Sequence, residues 1–140
     1  MATSSHKITI DVPQDRVFKA LSTVEGLKSW YTPTIEGAAG KNHEVVFTFA
    51  GKEPFRWKFI DLKPNSLVRW ECIDGPGDAV GTRVTFAVSG KGNQSSVVEC
   101  DHEGWPDGHS EFTKCNTLWG ILMGHLKKYA ESGLPDPAFN

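Results

Sequence analysis

His102 is the titratable residue whose position most invites a chemical role. It alternates with Val98 and Cys100 along a strand-like stretch, so these three side chains share one face of the strand. An imidazole changes its charge near neutral pH, which makes His102 a candidate proton donor or acceptor for a bound molecule. The alternative is a structural histidine that is hydrogen-bonded at the sheet edge and holds the turn at Gly104 and Trp105. We favour the structural role.

Other catalytic, cofactor and metal-binding patterns do not occur in the sequence. The three cysteines, Cys72, Cys100 and Cys115, have no CxxC spacing and resemble small core side chains. His-Glu pairs begin at His43 and His102, but neither is followed by the second histidine of a HExxH zinc site. No GxSxG nucleophile motif occurs, and the GxG triplets lie on hairpin-like loops rather than at strand-to-helix turns. The sequence therefore predicts no metal, no cofactor and no catalytic residue set.

The composition is that of a single soluble globular domain spanning residues 1–140. Hydrophobic residues make up 39% of the chain and charged residues 23%, which is an ordinary balance for such a domain. A formal net charge of −2 does not favour nucleic acid or an anionic membrane as a partner. No stretch approaches the ~20 apolar residues of a membrane span, and the N-terminus shows no signal-peptide pattern. We therefore expect a cytoplasmic protein.

The chemistry-bearing residues lie on a series of alternating apolar and polar stretches that predict strands. These stretches cover residues 8–12, 45–49, 55–59, 68–72, 84–88 and 98–102. Two short helices are predicted after the first strand, one starting at Pro13 and one capped by Thr23, and residues 33–40 are expected to form a loop. The short connections between the later strands favour an antiparallel meander with one polar face.

Residues 110–132 form the strongest predicted helix, and Gly133 with Pro135 signals its end. One wide arc of this helix is apolar and comprises Phe112, Cys115, Leu118, Trp119, Leu122, Met123, Leu126, Tyr129 and Ala130. The apolar face of the sheet is the surface that can bury such an arc. The predicted fold is therefore α+β of the helix-grip type, with a curved antiparallel sheet of about six strands around one long C-terminal helix.

Six strands around one helix enclose more volume than the helix fills, so we expect an apolar cavity between them. Aromatic and aliphatic side chains on the inner faces either form ordinary core or line this cavity for an apolar or aromatic ligand. The residues predicted to line it are Trp57, Phe59, Trp70, Phe86, His102, Trp119, Leu122, Met123 and Leu126.

The opposite side of the long helix carries a stripe of small residues, Thr113, Thr117, Gly120 and Gly124. Glycine inside a helix lowers its stability by about 1 kcal/mol relative to alanine, so the presence of two glycines on one stripe needs an explanation. Either the stripe is a solvent-facing surface that tolerates this loss, or it admits the close approach of a second copy in a weak homodimer. The sequence leaves both alternatives open.

Several motifs resemble the START-like (SRPBCC) superfamily. Residues 10–21, IDVPQDRVFKAL, resemble its opening pattern I-x-x-P-x-x-x-V-(F/W)-x-A-L. The segments GTRV at 81–84 and HEGW at 102–105 resemble those of one branch, which is similar to the C-terminal domain of the activator of heat-shock-protein-90 ATPase. The resemblance covers nearly the whole chain and implies the same helix-grip fold.

The function implied by this resemblance is broad, because the fold hosts lipid carriers, polyketide cyclases, dioxygenase domains and co-chaperones. We expect a protein that binds a small hydrophobic or amphipathic molecule, lipid-like or aromatic, in the predicted cavity. One alternative is a polyketide cyclase or aromatase that uses His102 as its acid or base. The other is a co-chaperone-like protein-interaction module. Binding without catalysis is favoured.

Overall fold

The computed structural model describes residues 2–49, 53–106 and 110–139. In these ranges the chain forms seven β-strands and three α-helices, together with a short 3-10 turn at Gly77–Ala79. The strands are β1 (Ala2–Ile10), β2 (Thr34–Gly37), β3 (Glu44–Thr48), β4 (Phe55–Lys63), β5 (Leu67–Asp74), β6 (Arg83–Gly90) and β7 (Ser96–Trp105). The helices are α1 (Gln14–Ser22), α2 (Val24–Trp30) and α3 (Ser110–Ser132).

All seven strands belong to one antiparallel sheet with the order β1-β7-β6-β5-β4-β3-β2. The consecutive strands β2 to β7 form the predicted meander, and β1 returns to pair with β7. This curved sheet around one long helix confirms the α+β helix-grip prediction.

The sheet has one strand more than the sequence indicates, because β2 lies within residues 33–40, where a loop is predicted. Ile35 of β2 pairs with Phe47 of β3 and is only 5% exposed. A strand of four residues with a single inward side chain shows no alternation that a sequence pattern can detect. The prediction of a loop is therefore wrong for residues 34–37.

Strand β1 is also longer than predicted, since it begins at Ala2 rather than near Ile8. Its inward-facing positions in this extension hold polar residues, and the buried Ser4 donates a hydrogen bond to Oδ1 of Asn116 in α3 at 2.8 Å. Polar residues on the inner face hide the alternation of hydrophobicity, although the backbone pairing with β7 continues.

Helices α1 and α2 pack closely, and Gly26 makes this possible. A Cβ atom at Gly26 would lie 2.7 Å from the carbonyl oxygen of Ala20, which is backbone and has no freedom to move away. Trp30 donates from Nε1 to that same oxygen at 2.9 Å. The predicted cap is confirmed, since the hydroxyl oxygen of Thr23 accepts the backbone N–H of Gly26 at 3.0 Å.

Helix α3 has the predicted bounds and lies against the concave face of the sheet. Gly133 follows it with a φ of +74° and donates its N–H to the carbonyl of Tyr129 at 2.7 Å, as expected of a glycine that ends a helix. The residues of the apolar arc that are fully buried are Trp119, Leu122, Met123, Leu126 and Ala130.

The segment after α3 runs back across the end of α2. Three backbone N–H groups, of Asp136, Ala138 and Phe139, donate to the carbonyls of residues 29–31 at 2.9, 3.1 and 3.0 Å. Nδ1 of His125 on α3 is 2.7 Å from the carbonyl oxygen of Asp136, which fixes the segment from its other side. This arrangement places the ring of Phe139 against the inner face of the domain.

Candidate ligand-binding cavity

A cavity of about 50 Å³ lies between the sheet and the first half of α3. Its walls come from β4, β7, α3 and the segments that follow α2, β3 and α3. The residues that line it are Tyr31, Phe49, Phe55, Trp57, His102, Cys115, Leu118, Trp119, Leu122 and Phe139. The lining is almost entirely aromatic or aliphatic.

The nine residues predicted from the sequence divide into two groups. Those that line this cavity are Trp57, His102, Trp119 and Leu122. Those that are buried in the core without lining it are Phe59, Trp70, Phe86, Met123 and Leu126. We call the space around the first group the cavity half and the space around the second group the packed half.

The remaining lining residues are not among those predicted from the sequence. Cys115 and Leu118 belong to the predicted apolar arc of α3, and Phe49 and Phe55 belong to predicted strands, so all four carried a usable signal of burial. Tyr31 and Phe139 carried no sequence signal of burial, because each follows the end of a helix in an aperiodic segment. Their rings lie 6.0 Å apart, centroid to centroid, only because the C-terminal segment crosses α2.

Both ring nitrogens of His102 are engaged by the protein. Trp119 Nε1 lies 2.9 Å from Nδ1 of His102, and because an indole N–H only donates, this Nδ1 carries no proton. The imidazole proton is therefore on Nε2, which lies 2.8 Å from the hydroxyl oxygen of Thr82. Thr82 in turn donates to the carbonyl oxygen of Ala79 at 2.6 Å. This chain links α3 to the turn before β6 and assigns a neutral tautomer to His102.

Burial reinforces this neutral state. His102 is 2% exposed, and desolvation lowers its pKa from the ordinary 6.5 to about 3. His102 is thus a neutral ring with both nitrogens occupied by neighbouring side chains. It does not have a free nitrogen with which to exchange a proton with a ligand.

The two tryptophans that line the cavity differ in the state of their indole N–H groups. The N–H of Trp119 is used by His102, whereas Nε1 of Trp57 is buried and has no hydrogen-bond partner among the described residues. Trp57 is 1% exposed, so water at the protein surface does not reach it freely. Most buried polar groups in proteins are hydrogen-bonded, which makes this donor an exception.

The cavity walls carry no charged side chain among the described residues. His102 is neutral, and burial raises the pKa of Tyr31 above its ordinary value, so the phenol also stays neutral. A charged group placed here would lose its hydration without gaining a counter-charge. The cavity therefore suits an uncharged occupant.

The described part of the chain shows neither a metal-binding cluster nor a membrane-spanning helix. It contains no group of three or more histidine, cysteine, aspartate or glutamate side chains placed to hold a metal ion. None of its helices combines the length and the apolarity that spanning a membrane requires.

The small-residue stripe lies on the outside of α3, as predicted. Thr113, Thr117, Gly120 and Gly124 are all exposed. A Cβ atom at Gly124 would meet nothing within 4 Å, whereas one at Gly120 would lie 3.8 Å from Nε2 of His6, an ordinary contact. Neither glycine is thus required by the packing of the single chain.

The sequence matches one family model over residues 1–116, described as "Polyketide cyclase / dehydrase and lipid transport". The chain belongs to this family. Membership in the polyketide cyclase/dehydrase and lipid transport family confirms the START-like resemblance found in the sequence. It agrees with a fold that binds ligands between a sheet and a helix, and it names no particular ligand for this chain. No curated protein sequence matches the chain.

Solved structures agree with this family assignment. The solution structure of the Aha1 dimer from Colwellia psychrerythraea is 30% identical, with 95% of this chain and 98% of that chain covered and a TM-score of 0.85. This supports the branch seen in the sequence. CalU16 from Micromonospora echinospora is 14% identical, with 96% and 76% covered and a TM-score of 0.77. MLL2253 from Mesorhizobium loti is 14% identical, with 91% and 95% covered and a TM-score of 0.79. The last two likenesses are of the fold alone.

Proposed function

We propose that this protein binds a small hydrophobic or amphipathic molecule in the cavity between the sheet and α3. The observation that carries the proposal is the apolar cavity between the sheet and α3, which is lined by Trp57, Trp119 and Leu122 and by no charged side chain among the described residues. Close packing is the rule in protein interiors, so space of this kind beside aromatic side chains favours a binding role. The family description supports it, since lipid transport and polyketide chemistry both require a site for an apolar molecule.

The cavity must widen to admit a ring-sized ligand. Its volume of about 50 Å³ is below the roughly 150 Å³ of an engineered apolar cavity that takes up benzene. Phe139 is one of the lining residues that are only partly buried, and we expect its ring to move aside when a ligand enters. Its ring contacts Phe49 and Tyr31 with centroid distances of 4.7 and 6.0 Å. A ligand ring that takes the place of the Phe139 ring would therefore contact the same two aromatic side chains.

The test is binding of an environment-sensitive apolar dye, followed by its own emission and that of the tryptophans. We expect saturable binding that Phe139→Ala tightens and Leu122→Trp weakens at least tenfold, because the larger ring occupies the cavity. The matched control is Ile121→Trp, which adds the same ring next to Leu122 but at a 51% exposed position outside the cavity. Dye binding that Leu122→Trp leaves unchanged would contradict the proposed site.

The cyclase or aromatase alternative depended on His102 as an acid or base. Because Trp119 and Thr82 occupy both ring nitrogens and burial holds the pKa near 3, no observation favours that chemistry. We therefore propose binding and not catalysis.

A second candidate function is association through the outer stripe of α3, which is the specific form that the protein-interaction alternative takes here. Two observations favour it: the stripe is exposed beside Ile121, a large apolar side chain that is 51% exposed, and the similar protein Aha1 from Colwellia psychrerythraea is a dimer. We propose that two copies pack the surface formed by Thr113, Thr117, Gly120 and Gly124 against itself.

The double variant Gly120→Ala with Gly124→Ala separates the two alternatives for this stripe. In a solvent-exposed stripe, each alanine stabilises the helix by up to about 1 kcal/mol, and the protein is monomeric before and after the change. In a close-packed dimer, the new methyl groups push the helices apart, and sedimentation shows loss of the dimer with little gain in stability. A wild-type protein that is monomeric at millimolar concentration would refute the dimer.

A further inference from the structure

We propose that Trp57 is the polar anchor of the cavity: its indole N–H donates a hydrogen bond to an acceptor atom on a neutral ligand. The inference rests on the proposed function, because it names a residue and a ligand chemistry for the same cavity. It predicts that a ketone, ester or ether of suitable shape binds better than the hydrocarbon it resembles.

The unused donor of Trp57 is the first observation behind the anchor. Its Nε1 is buried, has no acceptor in the described part of the chain and belongs to a side chain that lines the cavity. A buried donor without a partner has already lost its hydration, so an acceptor that arrives with the ligand gains the hydrogen bond without that cost.

Two other polar side chains of the lining are already engaged within the protein. Trp119 donates to His102, and the imidazole proton of His102 is directed to Thr82. Within the described lining, these two side chains are therefore committed to each other and to the turn before β6. Trp57 lies beside them, with its ring centroid 5.7 Å from that of His102, but outside their hydrogen-bond chain.

The described walls of the cavity carry no charged side chain, so the favoured ligand is itself uncharged. A carboxylate would satisfy the indole N–H, yet it would enter a cavity that offers no cation among these residues. A neutral oxygen or nitrogen acceptor meets the donor without this penalty. The aromatic walls formed by Phe55 and Phe49, 6.0 Å apart, favour a flat aryl group next to that acceptor.

Trp70 provides a matched comparison for Trp57. Its Nε1 is likewise buried and has no partner in the ranges that the structure describes, but Trp70 does not line the cavity and instead contacts four aromatic rings. Replacing either tryptophan by phenylalanine removes one unpaired N–H and a similar volume from the same core. Only the change at Trp57 is expected to alter the choice of ligand.

The experiment compares three naphthalene probes of similar size: naphthyl methyl ketone, ethylnaphthalene and naphthoate. For the wild type we expect the ketone to bind about fivefold more tightly than the hydrocarbon, the size of one net hydrogen bond, and naphthoate not to bind. Trp57→Phe should abolish the preference for the ketone, whereas Trp70→Phe should retain it.

A second measurement needs no substitution. In ¹H–¹⁵N spectra of the wild type, which has five tryptophans, the indole N–H of Trp57 should shift downfield with the ketone and not with ethylnaphthalene. The indole signal of Trp70 should not respond in this way. This measurement decides the question even if Trp57→Phe does not fold.

The outcomes separate this inference from the function on which it rests. Binding of neither neutral probe, to the wild type or to Phe139→Ala, would overturn the proposed function and the anchor together. Equal binding of the ketone and the hydrocarbon would leave the function standing and overturn the anchor. A ketone preference that survives Trp57→Phe would assign the hydrogen bond to another group and also overturn the anchor.

Discussion

The packed half and the cavity half of this protein are built from the same kinds of residue but differ in how completely their side chains fill the space. In the packed half, Trp70 is surrounded by the rings of Phe47, Trp57, Phe59 and Phe86 at centroid distances of 5.0 to 5.9 Å. In the cavity half, the side chains of α3 and the sheet leave about 50 Å³ unfilled, and Phe139 from the chain end reaches in to cover part of it.

The difference shows that inward orientation and filled space are separate properties. Adjacent positions of α3 illustrate this: Leu122 lines the cavity, whereas Met123 is equally buried but does not. A helix against a curved sheet fills the space where the sheet curves closest and leaves space where the sheet opens. The same hydrophobic pattern thus gives stability in one half and room for a ligand in the other.

The largest contrast is expected from removing one aromatic ring in each half. Phe86→Ala should lower the free energy of unfolding by about 3 to 5 kcal/mol, because it leaves a void among fully packed rings. Phe139→Ala should cost about 1 kcal/mol, because its ring is partly exposed and borders space that already exists. Urea unfolding measures both. Equal losses would show that the two halves are packed alike.

Adding volume to neighbouring residues of α3 should also cost more stability in the packed half than in the cavity half. Met123→Trp should destabilise the protein by about 1 to 3 kcal/mol, because the packed half has no room for the larger ring. Leu122→Trp adds its ring where the cavity lies and should cost at least about 1 kcal/mol less than Met123→Trp. Thermal and urea unfolding of the two variants provide the measurement, and a larger cost for Leu122→Trp would contradict the division.

The last prediction concerns the polar wall of the cavity half. His102 takes up a proton near pH 6.5 in the unfolded chain but only near pH 3 when folded, so unfolding binds a proton between these values. Between pH 6.5 and about pH 3, the free energy of unfolding should therefore fall by about 1.4 kcal/mol for each unit by which the pH is lowered, and it should be independent of this group above pH 6.5.

His102→Gln is the matched variant, because glutamine also offers one donor and one acceptor. We expect it to cost about 1 kcal/mol at pH 7, the size of one hydrogen bond, and to lack this dependence on pH between 7 and 5. Urea unfolding of both proteins across this range isolates the histidine from the carboxylates, which are common to both. Parallel pH profiles would show that His102 is not held neutral.

Much of the fold is predictable because it follows from local periodicity. The alternation around Phe59, Trp70 and Phe86 requires strands with one buried face, and the apolar arc of residues 110–132 requires a helix with one. A sheet and a helix that each need to bury one face pack against each other. This reasoning leads from the sequence to the helix-grip fold, and with it to the burial of all nine predicted site residues.

The site itself is predictable only in part, because it depends on where packing fails. Trp57, His102, Trp119 and Leu122 line the cavity, and nothing in their own positions distinguishes them from the five that are packed. Which side of a buried ring meets empty space depends on the curvature of the sheet and on neighbours distant in sequence. The sequence pattern encodes neither.

What the sequence determines by itself is the order of the elements, their inward faces and the end of α3 at Gly133, since each depends on residues within one or two turns. The tertiary structure decides the rest. Gly26 weakens its helix by local propensity, yet the approach of Ala20 requires it. Phe139 lies outside every periodic element, yet its contacts with Tyr31 and Phe49 make it a wall of the cavity. Both roles arise from contacts between segments that are distant along the chain or on separate elements, and such contacts leave no periodic signal in the sequence.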